Sequence, residues 1–105
     1  MTPTPLRPTP LRPDSACCRD LNWRTDLPAE EGGEVEGRLL DRGWTQRCRH
    51  QALRVLRHPE GHELAWVLTT GRVQLRVGAW VPQSERAERA HSLYDELVAS
   101  CGAGQ

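Results

Sequence analysis

Between Gln51 and Val81, apolar and polar positions alternate along three short runs separated by turn residues. His58-Pro59-Glu60-Gly61 has proline second and glycine fourth, the placement that a type I turn prefers. Thr70-Gly71 reads as a two-residue connection with glycine where φ turns positive. Hairpins centred on these turns pair Val55 with Leu64 and Leu64 with Val77. The next row is Leu53, Trp66 and Leu75, followed by Gln51, Leu68 and Val73. Eight of these nine residues are apolar, although turn chemistry alone sets the pairing. Arg72 to Val77 also alternates strictly, as a half-buried strand does. The pattern predicts a three-stranded antiparallel meander, and slipping a hairpin by one residue would carry arginines into its apolar face.

The same register composes the opposite face. Its rows are Arg54, Ala65 and Arg76; Ala52, Val67 and Gln74; and His50, Thr69 and Arg72. Leu56 and Glu63 lie at its end, and Trp80 shares its parity. This face is basic at its margins and apolar in its middle. A plainly solvated face carries more polar residues in its central strand, so a cover is expected here.

Two helical patterns flank the meander. Thr25 or Asp26 can cap a helix starting near Pro28, with Glu30 and Glu31 in its first turn. Its stronger part is Glu34 to Arg42, where Val35 and Leu39 share a face, and Gly43 ends it. Trp44 leads into the first strand. After Val81-Pro82, Ser84 is the expected cap of a second helix. Its apolar stripe is Ala87, Ala90, Leu93, Tyr94, Leu97, Val98 and Cys101, and Gly102 ends it. The fold class predicted is α+β, ordered α-β-β-β-α, with both helices on the Leu53/Trp66/Leu75 face. Residues 26–102 form the single expected domain. Residues 1–25 are expected to be a disordered proline-rich tail and linker, and residues 103–105 a short tail. Residues 3–12 are two copies of Pro-Thr-Pro-Leu-Arg, a composition that favours extended polyproline-II backbone.

Composition narrows the function classes. Basic and acidic residues balance at 14 each, which weighs against a dedicated polyanion binder. The chain has no lysine, isoleucine or phenylalanine and one asparagine, the mark of a GC-rich genome. Arginine and tryptophan are therefore not in themselves signs of phosphate forks or stacking platforms. The four cysteines, at 17, 18, 48 and 101, lack metal or disulfide-framework spacing. Without an apolar membrane-length run or a signal-peptide core, the expected location is the cytoplasm.

Candidate chemistry is sparse. His58 and His62 flank a turn beside Glu63, but their spacing is no zinc signature, and neither a metal nor another cofactor is expected. No Ser-His-Asp or Cys-His set assembles. His50 and Arg72 share an outer row and could act as base and phosphate clamp of a ribonuclease. His50, Arg54, Arg72, Gln74, Arg76 and Trp80 form the nucleic-acid alternative, with guanidinium groups for phosphates and an indole for a base.

Leu39-Leu40-Asp41-Arg42-Gly43-Trp44, then His58-Pro59 before a strand, resembles the layout of HicA-family toxins over residues 34–68. Those are small ribonucleases with a fold like the double-stranded-RNA-binding domain. The resemblance implies an α-β-β-β-α fold. The family's catalytic histidine follows Gly-Ser or Gly-Thr, whereas this chain reads Gln51-Ala52-Leu53, so the activity does not carry over. The expected function is non-enzymatic binding through Arg54, Leu56, Ala65, Val67 and Arg76. The expected partner is a protein or a second copy, with nucleic acid as the alternative and no membrane.

Overall fold

A computed structural model of the protein describes residues 8–14, 21–28 and 32–101. The N-terminal residues 1–7, Cys17 and Cys18, the acidic helix start at Glu30 and Glu31, Gly102 and the tail 103–105 lie outside the described residues. The fold is α+β, but it is larger than a three-stranded meander. One antiparallel sheet holds six strands in the order β1-β2-β6-β5-β4-β3. The strands are β1 (Arg12–Pro13), β2 (Asn22–Asp26), β3 (Thr45–Arg49), β4 (Leu53–Arg57), β5 (Glu63–Val67) and β6 (Arg72–Arg76). Helix α1 (Gly32–Asp41) precedes β3, and α2 (Arg86–Ala99) closes the described chain.

Two strands come from the expected tail. β2 pairs with β6 over its whole length, Trp23 opposite Leu75, and buries Trp23 and Thr25. β1 then pairs with β2, Pro13 opposite Trp23. Residues 8–14 and 21–26 are therefore part of the domain, and its expected start at residue 26 is corrected. The alternation Trp23-Thr25-Leu27 carries this strand. The surrounding prolines and polar residues hide it, because a short strand is recognised only when its partner strand is known. The first meander strand is also two. Gln51-Ala52 is a tight turn, with the His50 N–H donating to Leu53 O (2.8 Å), so β3 and β4 form a separate hairpin.

Both hairpin registers differ from the expected ones. The turn at residues 58–61 forms as predicted, with the Gly61 N–H donating to His58 O at 2.7 Å. Gly61, however, sits at φ +100 and adds a residue to the loop. The ladder then closes from the His58 N–H to His62 O at 2.8 Å. A type I turn followed by a left-handed glycine is a three-residue hairpin loop, one residue longer than the turn suggests. Leu56 thus faces Leu64, where Val55 was expected. The second loop is longer by two: Val67 pairs with Arg72, and Gly71, at φ +79, donates its N–H to Val67 O. A shift of two preserves parity, so Leu64, Trp66, Val73 and Leu75 stay on the covered face.

The one-residue shift inverts β4. Leu56 is fully buried, while Leu53 and Val55 turn to the open face, and Arg54 turns inward opposite Trp66. Its Nε lies 3.7 Å from Oε2 of Glu36, a buried acid on α1 that also accepts from Gln46 Nε2 at 2.6 Å. An inward arginine is tolerated here because α1 supplies its counter-charge.

Both helices pack on the covered face. Val35 and Leu39 of α1 and Ala90, Leu93 and Leu97 of α2 join Trp23, Leu56, Leu64, Trp66, Val73 and Leu75 in one core. Buried indoles have polar partners: Trp66 Nε1–H donates to Leu27 O at 3.1 Å, and Trp44 Nε1–H to Glu96 Oε1 at 3.0 Å. Ser84 is not the cap of α2. It lies in a 3-10 turn, Gln83–Glu85, ahead of the helix, and neither the turn nor α2 has a side-chain cap hydrogen bond. Ala87 is exposed, so the stripe expected on α2 narrows to Ala90, Leu93, Leu97 and Cys101, with Tyr94 and Val98 half-buried.

The inverted strand has a direct test. Leu56→Ala should cost about 2–5 kcal/mol, the usual range for a fully buried leucine. Leu53→Ala should cost well under half of that in the same urea titration. Equal losses would indicate that Leu53, not Leu56, faces the helices.

Candidate functional site

Among the described residues, the face of the sheet opposite the helices is a broad candidate surface. Register places Leu53, Val67, Arg72 and Asp26 in one row, and Cys48, Val55, Ala65, Gln74 and Arg24 in the next. Arg57, Glu63, Arg76 and Asn22 form a third row. Leu53, Val55, Ala65, Val67 and Cys48 make an apolar strip across β3, β4 and β5, each half-buried. Around it, charges of both signs are paired. Arg72 reaches Asp14 at 3.6 Å, Arg24 and Arg12 reach Asp26 at 3.6 and 3.4 Å, and Gln74 Nε2–H donates to Asp14 Oδ2 at 3.0 Å. Asp14, Ala65, Val67, Arg72 and Gln74 together line a shallow cavity of about 270 Å3.

Of the residues expected on this surface, Ala65, Val67 and Arg76 are there, together with Arg72 and Gln74 of the alternative set. Arg54 and Leu56 are not, for the hairpin reason given above. Leu53, Val55 and Arg57 replace them. A left-handed glycine after a type I turn was the signal that could have found them.

The nucleic-acid set is not brought together. His50 lies in the β3–β4 turn, where its Nδ1 accepts the Ala52 N–H at 3.2 Å. Trp80 lies at the other end of the sheet, stacked on His62 with ring centroids 5.4 Å apart. Arg72 is tied to Asp14 rather than placed beside His50 as a phosphate clamp. Arg76 and Trp80 do share a cavity of about 240 Å3 with Leu21 and Glu63. At Leu53, where the toxin resemblance puts a catalytic histidine, the chain presents an apolar side chain on the open face. It was expected in the core.

A second constellation occupies the sheet end near Gly61. His62 is completely buried under the exposed indole of Trp80, and a Cβ on Gly78 would collide with that ring. Gly78 therefore makes the seat of Trp80, and a Cβ on Gly61 would lie 2.7 Å from the same ring. His58, Glu60 and His62 bring possible ligand atoms within 4.8 Å of one another, the two flanking histidines singled out from the sequence, with Glu60 rather than Glu63 as the acid. Their hydrogen bonds oppose a metal. His58 Nδ1 accepts the Glu60 N–H at 3.0 Å, and His62 Nδ1 accepts the Gly78 N–H at 2.9 Å. Each neutral ring then carries its proton on Nε2, where a metal ion would need a lone pair. His58 Nε2 meets Glu96 Oε2 at 3.0 Å. His62 Nε2 stands 3.7 Å from Glu60 Oε1, too far for a hydrogen bond.

Comparison of the chain with protein-family models, curated proteins and solved structures finds no match. The geometry therefore carries the functional reading by itself. No helix among the described residues is long and apolar enough to cross a membrane.

Burial pushes the His62 imidazole below its ordinary value of 6.5, His58 and Arg89 act in the same direction, and Glu60 opposes them. The unfolded chain therefore takes up this proton first. The contribution of His62 to stability is complete above the unfolded value of 6.5 and declines as pH falls below it. His62→Asn retains an acceptor for the Gly78 N–H and removes the titration. Urea midpoints measured through this window should fall less steeply for the variant than for the parent; identical slopes would contradict the assignment.

Proposed function

We propose that this protein is a non-enzymatic binding module whose open sheet face docks on protein, in the first instance the same face of a second copy. The apolar strip Leu53, Val55, Ala65 and Val67 carries this reading. Antiparallel sheets commonly leave one face to solvent, but such a face is then polar along its central strands. Here the neighbouring strands β4 and β5 contribute the apolar residues, and the charges stand beside them on β6 and β2 and in the end row of Arg57 and Glu63. That is the distribution of an interface with an apolar core and a polar rim.

The charge pattern favours protein over a polyanion. Arg12, Arg24 and Arg72 each face an aspartate, and Glu63 lies in register between Arg57 and Arg76. Phosphate binding would have to break these pairs, whereas a surface bearing both signs can complement itself across a two-fold axis. Addition of a strand at β3 is the weaker route. That edge exposes Arg47 and Arg49 and is interrupted by a bulge between Gln46 and Cys48, two devices that discourage edge pairing.

The size of the face sets the expected strength. Five strands of five residues project to about 24 by 17 Å, or about 400 Å2, from strand spacing and rise. A standard stable interface buries about 800 Å2 per partner, so the association should be reversible and concentration-dependent. Sedimentation velocity over a wide concentration range should show a monomer–dimer equilibrium. Val67→Asp should shift it to monomer while leaving the far-ultraviolet spectrum unchanged. A wild-type chain that stays monomeric throughout, or a mobility shift with random RNA at low salt, would count against this reading.

A further inference from the structure

The segment Pro-Thr-Pro-Leu-Arg occurs twice, at residues 3–7 and 8–12, and proline follows each copy. The second copy is seated in a groove along β2. The Thr9 N–H donates to Asp26 O at 2.9 Å, and the Asp26 N–H returns a bond to Thr9 Oγ1 at 2.8 Å. Thr25, fully buried, donates its hydroxyl to the Thr9 carbonyl. From α2, the Tyr94 hydroxyl lies 2.9 Å from Thr9 O and 3.2 Å from Pro8 O. Pro8 is buried, Leu11 packs against the core, and Arg12 extends to Asp26 Oδ2 at 3.4 Å.

These contacts read the segment's chemistry. The prolines preset an extended backbone and remove donors that the groove does not satisfy. Threonine supplies a matched donor and acceptor, leucine an apolar anchor, and arginine a counter-charge. Arg12 and Pro13 enter the β ladder, Thr25 and Tyr94 bond the backbone carbonyls of Pro8 and Thr9, and the side chains that are read are Thr9 through its Oγ1, Leu11 through the core and Arg12 through Asp26. Nothing in these contacts depends on the covalent link to β2.

We propose that this groove is a ligand site for Pro-Thr-Pro-Leu-Arg, closed in cis by residues 8–12 and open by exchange to residues 3–7 of a second copy. The tethered segment competes at an effective concentration in the millimolar range, about that of a short flexible link, so the cis form predominates. Asp14 adds to that preference. It stands second after the second copy, behind Pro13, and bonds Gln74 and Arg72, whereas Thr9 stands at the corresponding place after the first. Exchange otherwise trades identical contacts, the condition under which segment swapping between copies costs little. The site lies at the β2 edge, where it borders the open sheet face through Asp26, and peptide binding tests it independently of dimerisation through that face.

The test uses the full chain with both copies silenced, as Thr4→Val, Arg7→Glu, Thr9→Val and Arg12→Glu. By fluorescence anisotropy, a labelled Pro-Thr-Pro-Leu-Arg-Pro peptide should bind this variant at least about tenfold more tightly than it binds the parent, whose groove is filled at high effective concentration. Adding Tyr94→Phe should weaken binding by about tenfold, the loss of one or two hydrogen bonds. A peptide with valine for threonine should bind no better. Labelled parent chain should bind the silenced chain, and parent carrying Thr4→Val and Arg7→Glu should bind it more weakly. A folded silenced chain that binds neither peptide nor parent, or that accepts the valine peptide equally, overturns the proposal. If the fourfold variant does not fold, Thr9→Val with Arg12→Glu decides instead. Residues 3–7 should then take the groove, and slow amide exchange should move from Thr9 to Thr4. A Thr4 amide exchanging at the rate of open chain would end the proposal.

Discussion

Gly61 adopts φ +100, and that one conformation determines which side chains of β4 meet the helices. A residue with a Cβ pays a steric penalty there, and the Trp80 ring, 2.7 Å from where the Cβ would stand, adds a second obstacle. With glycine in place, the loop takes three residues and Leu56 reaches the core beside Leu64. A two-residue loop would have sent Val55 inward with Leu53. The open face would then carry Arg54 and Leu56, and its apolar strip would be broken.

The inverted strand explains several features that otherwise look unrelated. Arg54 points toward the helices, and α1 answers it with the buried carboxylate of Glu36, which is further held by Gln46. Removing one member would leave a charge in a poorly solvated place, so the three belong together. At the other end of β4, the same turn directs His58 to Glu96 and brings His62 beneath Trp80. The imidazoles there are engaged with backbone N–H groups. Their arrangement resembles a metal site in proximity but not in proton placement.

The two surfaces proposed for recognition differ in kind. The open face is broad and shallow, and its apolar strip suits a matching sheet. The β2 edge is narrow and sequence-reading, with its ligand already supplied by the chain. Residues 8–14 thus extend the sheet at one side and deliver Asp14 to the rim of the open face, where it pairs with Arg72 and Gln74.

Turn residues and alternation were enough to determine the α+β class, the β5–β6 face with Leu64, Trp66, Val73 and Leu75, and the burial of α2 through Ala90, Leu93 and Leu97. These rest on local periodicity, which survives a register shift of two. On the open face, Ala65, Val67 and Arg76 were legible for the same reason. Arg54 and Leu56 were not, because a one-residue difference in loop length exchanges the two faces and depends on whether Gly61 lies inside the turn or after it. β2 and the docked repeat were illegible for another reason. Their stability comes from β6, Thr25 and Tyr94, residues far along the chain, and no local pattern of prolines reveals a groove that only the folded chain builds.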